Sequence, residues 1–233
     1  MKHQAKEPQS STVSYYDKNA RVAGILFLLG FAGGISAALL HPITESENVM
    51  QAFLSNSVGI QISSLGIFIM GFACTGIAIA LYPSLKPKDK SIALGAVIFR
   101  SIEGILHILV GVMYLGMLVV AQQSDAALGP IMTIFLGTIE AVVLSATIAW
   151  GIGAICYCFI FFLRKLIPSW LALWGLVGMS LSLSMAICGF FCGGSANSAV
   201  STVLNIPIAL QELVLAGWLI IKGLKHPVDW ASQ

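Results

Sequence analysis

Residues 139–163 read IEAVVLSATIAWGIGAICYCFIFFL, and Glu140 is the only charge among them. A helix with so little polar surface cannot face water, because a soluble surface helix needs a polar side. Its length matches the ~20 residues that carry a helix across the ~30 Å hydrocarbon core of a bilayer. Five further runs share the pattern, near 20–40, 60–82, 92–120, 169–192 and 203–221. Composition agrees: 58% of the 233 residues are hydrophobic and 9% are charged, against about 25% charged in a soluble domain. The chain is therefore expected to be all-α and polytopic, a six-transmembrane-helix bundle over 20–225. A polar tail, 1–19, is expected to be disordered, and a short tail follows at 226–233. The first run is longer than the h-region of a signal peptide and is expected to remain in the protein.

The basic residues sort by connection. Lys2, Lys6, Lys18 and Arg21 precede or open the first run. Lys86, Lys88 and Lys90 separate the second from the third, Arg164 and Lys165 the fourth from the fifth, and Lys222 and Lys225 follow the sixth. The connections near 41–59, 121–138 and 193–202 hold no Lys or Arg. By the positive-inside rule both termini face the cytoplasm and the protein is multi-pass in the plasma membrane. The opposite face is mildly acidic, with Glu45, Glu47, Asp125 and Glu140. There SENVMQAFLS, 46–55, puts Val49, Met50, Phe53 and Leu54 on one face and reads as a short interfacial helix. His41-Pro42 reads as the stop of the first helix, and GGSANSAVS, 193–201, as a flexible connection.

Within the third run, FRSIEGILHIL places Arg100, Glu103 and His107 three and four residues apart, on one helical face. Arg100 lies about 15 Å along the helix from Lys90. Charges at that depth are expected to face the bundle interior or a wet cavity, not lipid. The sixth run carries Gln211 and Glu212, and Glu212 lies about 15 Å before Lys222. Matching heights predict that the third and sixth helices touch, with Arg100 paired to Glu212 and Glu103 completing the network. Pro207 in the same run removes one backbone donor inside the membrane. Such a network is either a staple fixing helix register or a functional polar site.

Small residues at steps of four, Gly30, Gly34 and Ala38, predict close helix packing. Ser145, Ala149 and Gly153 repeat the spacing, and the fifth run offers Gly175, Gly178 and Ser180, Ser182 and Ser184. Five cysteines, an odd number with no loop pairing, argue against a disulfide framework. Cys188 and Cys192, four apart, are the one pair suited to redox or metal chemistry, but no histidine is near them and no metal site is expected. A net charge of +2 without a basic patch argues against nucleic acid. Neither a Gly-x-Ser-x-Gly context nor a convergent set of ligands is present, so no catalytic residue and no cofactor is expected. The expected partners are membrane lipids and, through helix faces, a second copy or another membrane protein.

Four blocks carry a family resemblance: KNARVAGILFLLGFAGGISAALL, ALGAVIFRSIEGIL, FFLRKLIPSWLALWGLVG and IPIALQELVLAGWLIIKG. In their order and spacing the chain resembles the bacterial domain-of-unknown-function family numbered 4386, over about residues 18 to 224. Arg100, Glu103, Pro168 and Glu212 match the family's polar pattern, and His107 does not. The resemblance implies an integral membrane helical domain in a bacterial inner membrane, and no reaction. The expected role is non-catalytic, whether regulatory, sensory or accessory. Small-solute or proton-coupled transport is the alternative, and an intramembrane enzyme the least supported.

Overall fold

The structure, a computed structural model, describes residues 10–123, 125–192 and 199–225. Its regular elements there are all helical: α1 (Ser10–Ala38), α2 (His41–Thr44), α3 (Val49–Ser55), α4 (Ser57–Leu85), α5 (Lys90–Gln122), a 3-10 turn (Ala126–Leu128), α6 (Gly129–Leu163), α7 (Ser169–Cys192) and α8 (Ala199–Ile221). Five of them, α1 from Lys18 onward, α4, α5, α6 and α7, are long and apolar enough to cross a membrane. In α8 the apolar described stretch is shorter, Asn205–Ile221. α1 begins at Ser10, inside the polar tail. Residues 1–9, the centre of the Gly-Ser connection (193–198) and the tail from 226 lie outside the described residues.

Local chemistry sets the helix limits. The Asp89 side chain accepts from the backbone N–H of Ile92 at 3.0 Å and starts α5, satisfying one of the donors a helix N-terminus leaves free. Lys165, with φ 49°, ends α6 as the Leu166 N–H donates back to the Phe161 carbonyl at 3.1 Å. Gly223, with φ 70°, ends α8, its N–H donating to the Trp218 carbonyl at 3.2 Å. Both are left-handed helix stops that recover orphan carbonyls.

The six long helices form a closed ring in chain order. α1 packs on α4, α4 on α5, α5 on α6, α6 on α7 and α7 on α8, and α8 returns to α1. Short connections favour such nearest-neighbour packing. The third and sixth runs, expected to touch, are not neighbours in this ring: α5 packs between α4 and α6, and α8 between α7 and α1. The loops 86–89 and 164–168 and the end of α8 gather at one end of the ring. There Arg164 Nη2 donates to the Lys88 carbonyl at 3.2 Å, and the Lys225 N–H donates to the Leu166 carbonyl at 2.9 Å. At the other end α3 buries Phe53 completely against the cluster of Ile60, Val110 and Met117. Its apolar face covers the bundle's own end. The outer surface is an apolar belt, with Phe72 67% and Ile134 67% exposed, a surface that suits lipid and not water.

Glycines set the tightest seams. Gly33 of α1 meets Gly66 of α4, and Gly71 of α4 meets Gly104 of α5. Gly24 of α1 meets α8, where an added Cβ would stand 2.7 Å from the Ala216 carbonyl oxygen. Gly30, Gly34 and Ala38 do not make these contacts. A Cβ on Gly30 or Gly34 would meet only Ala73 Cβ at 3.6 Å or Met70 Sδ at 3.5 Å, and Ala38 is exposed. The close approach falls one residue earlier, on Gly33, about 100° around the helix from Gly34. Of the serine series, Ser182 crosses between helices, donating to Asn205 Oδ1 at 3.0 Å, whereas Ser184 bonds back to the Ser180 carbonyl. Ser145 likewise returns to Ala141. Pro207 lies inside α8 with its ring exposed, away from every packed seam.

Gly104→Val should lower stability by about 1–3 kcal/mol, the usual range for overpacking. Gly137→Ala, where nothing lies within 4 Å of the new Cβ, should be neutral or raise it by up to about 1 kcal/mol. Thermal unfolding of both variants in detergent micelles reads the difference.

Candidate functional site

The polar stripe of α5 is drawn together as its spacing implies, but its ion pair closes within the helix. Arg100 Nη1 lies 2.9 Å from Glu103 Oε2. Arg100 is 2% and Glu103 3% exposed. His107 Nε2 stands 3.8 Å from Glu103 Oε1, too far for a hydrogen bond. Room for the guanidinium comes from α6: a Cβ on Gly153 would lie 3.0 Å from Arg100 Cγ. On the α4 side Cys74 is buried beside the pair.

Glu212 is not the partner of Arg100. Glu103 is the carboxylate that stands in ion-pair range of Arg100 and, less closely, of His107. Glu212 Oε1 instead accepts from the indole Nε1 of Trp150 on α6 at 3.2 Å. The reason is geometric. A carboxylate three residues along the same helix lies within reach of Arg100 whatever the bundle does, and α8 is not packed on α5. Gln211 leaves the site altogether. Its neighbour position turns it about 100° away, toward α7, where Nε2 donates to the Leu171 carbonyl at 3.4 Å.

Between these groups lies a cavity of about 550 Å³. Arg100, Glu103 and His107 form its α5 wall, Thr147 and Trp150 its α6 wall, and Ala209 and Glu212 its α8 wall. Met70, Cys74 and Ile77 of α4 and the face of α1 from Phe27 to Ala38 complete it, so Gly30, Gly34 and Ala38 line space rather than fill a seam. It reaches the outer face along α1, which packs on α8. The two helices touch at Gly24 and Ala216, but the lining residues Phe31 and Ile35 further along α1 are 36% and 54% exposed. The opening therefore lies in the apolar belt.

The Arg100–Glu103 pair is balanced in charge and poor in aligned hydrogen bonds. Arg100 Nε and Nη1 and Glu103 Oε2 are buried without a hydrogen-bond partner, as is the Tyr157 hydroxyl. The 2.9 Å contact between Arg100 and Glu103 is thus one of charge rather than of aligned hydrogen bonds. Among the described residues no group of three or more His, Cys, Asp or Glu could hold a metal ion. Cys188 is exposed, and the Cys192 side chain lies outside the described residues. Trp150, Thr147, Cys74 and Tyr157 were not singled out by sequence. Nothing separates them there from other small or aromatic residues of an apolar helix.

Removing one member of a buried pair strands the other, at about 3–5 kcal/mol. Arg100→Leu or Glu103→Leu alone should fall in that range, and the double variant should recover part of the loss. Arg100→Leu with Glu212→Leu should show a smaller coupling. Thermal unfolding of the single and double variants in one detergent measures both cycles.

No curated protein and no solved structure matches the chain. The order of the helices, the polar stripe of α5 and Glu212 on α8 all lie inside the stretch matched by one family model. The chain belongs to the family described as Domain of unknown function (DUF4386), whose model matches residues 22–223.

Proposed function

We propose that this protein is a non-catalytic membrane receptor or accessory protein that holds a small molecule in the cavity between α5 and α8. The observation that carries this reading is the combination of an open cavity with a buried, neutralised and incompletely hydrogen-bonded pair, Arg100 and Glu103. A register staple alone would be expected dry, packed and fully bonded. The cavity volume of about 550 Å³ falls in the ~300–1,000 Å³ range of small-molecule sites. Regulation would follow if occupancy changes how the outer face meets lipid, a second copy or another membrane protein.

The topology we infer is six spans with both termini cytoplasmic, in a bacterial inner membrane. Supporting the sixth span, α8 runs Ala199–Ile221, about 35 Å at 1.5 Å per residue, against ~30 Å of hydrocarbon. Supporting the orientation, the loops that carry Lys86, Lys88, Arg164 and Lys165 share one end with Lys222 and Lys225.

Transport is the second reading. α5 and α8 are each the third long helix of their half of the ring, and both bring ionisable groups to one cavity from different walls, an arrangement used by carriers with repeated halves. Native mass spectrometry of the protein in lipid nanodiscs tests the leading reading. A small bound mass is expected, and Ala209→Trp, which fills the cavity, should remove it. Absence of any bound mass, or its persistence in Ala209→Trp, refutes a cavity ligand. Solute or proton flux in proteoliposomes that is lost in Glu212→Gln would favour the carrier.

A further inference from the structure

We propose that the cavity receives the cationic head of an amphiphile, an ammonium group on an apolar body, with Glu212 as its counter-charge. This rests on the ligand-holding reading above and names the ligand's chemical class.

The charge inventory of the wall points to a cation. Arg100 and Glu103 cancel each other at 2.9 Å. Both are nearly sealed, at 2% and 3% exposed, so an entering molecule does not meet the guanidinium as a free charge. Glu212 is hydrogen-bonded by the neutral Trp150 N–H at 3.2 Å, while Arg100, within electrostatic reach of it, is already held by Glu103. Glu212 is half-buried and lines the cavity. One carboxylate is therefore in excess. A lone carboxylate at membrane depth is unfavourable until a positive partner arrives.

The rest of the wall suits the same guest. Trp150, Phe27 and Phe31 line the cavity, and aromatic faces attract ammonium groups, most strongly where water is excluded. The lining residue Ile35 is 54% exposed, and Ile206 and Leu210 on the neighbouring α8 are 53% and 50% exposed, so the cavity reaches the apolar outer face. A molecule that arrives there from the bilayer carries an apolar tail. Cation and tail together define the class.

The test uses the full chain in lipid nanodiscs with three probes of equal chain length: decyltrimethylammonium, decanol and decanoate. Binding is read by native mass spectrometry and by thermal shift, with empty nanodiscs as the reference. The expected result is a preference for the cation over decanol of about tenfold, the scale of one desolvated cation–aromatic contact. Glu212→Gln should abolish that preference, Glu212→Asp should keep most of it, and Ala209→Trp should block every probe. The order of the three probes on the native chain decides the matter even if a variant fails to fold. Equal binding of cation and alcohol overturns the cationic assignment and leaves the cavity reading standing. Tightest binding of decanoate also overturns it and makes Arg100 the recognising charge. Failure of all three probes, with no co-purifying small molecule, overturns both the assignment and the reading beneath it.

Discussion

The ion pair inside α5 governs the rest of the architecture. A single charge at the centre of a membrane helix is unfavourable by about 2.5–3.5 kcal/mol on the insertion scale. Arg100 and Glu103 meet at 2.9 Å on one helix, so α5 enters the bilayer already neutral. Its charge is balanced without an ion-pair partner from another helix. The bundle is thereby released from drawing α8 onto α5, and the ring keeps an open centre. Had the pair spanned two helices, the same charges would have pulled the ring shut.

Packing and opening are divided between the two sides of that centre. Gly33 on Gly66 and Gly71 on Gly104 let α1, α4 and α5 approach backbone to backbone, which is how membrane helices associate when lipid is as apolar as the side chains. The seam between α1 and α8 is tight around Gly24 and Ala216. Beyond it α1 turns its small residues Gly30 and Gly34 to empty space. One helix thus serves as a sealed wall toward α4 and a doorway toward α8.

Much of this was legible in sequence, for reasons that can be stated. Length and apolarity marked the long helices, since bilayer thickness leaves little freedom. The basic connections were sorted correctly to one end of the bundle, as the bond from Arg164 to the Lys88 carbonyl shows. The stripe of Arg100, Glu103 and His107 follows from helical period alone. Its partner did not, because counting residues yields height along a helix and says nothing of which helices stand side by side. Arg100 and Glu212 lie at similar height and still do not pair. The packing glycine was missed by one position for a related reason. Spacing by four selects a face but not its absolute direction, and Gly33 and Gly34 stand side by side in the chain. Trp150 was invisible because an aromatic in an apolar run is ordinary until a carboxylate is seen beside it.

The ring closes between its first and its final helix in chain order, α1 and α8. During synthesis α1, α4, α5, α6 and α7 emerge and pack as neighbours while the central space still lacks a side. Glu212, carried on α8, is delivered only with the piece that shuts it. A nascent chain therefore carries a self-neutral α5 through insertion and acquires its unbalanced charge at the final step. A half-made protein would lack the α8 wall, and the enclosed space would come into being all at once.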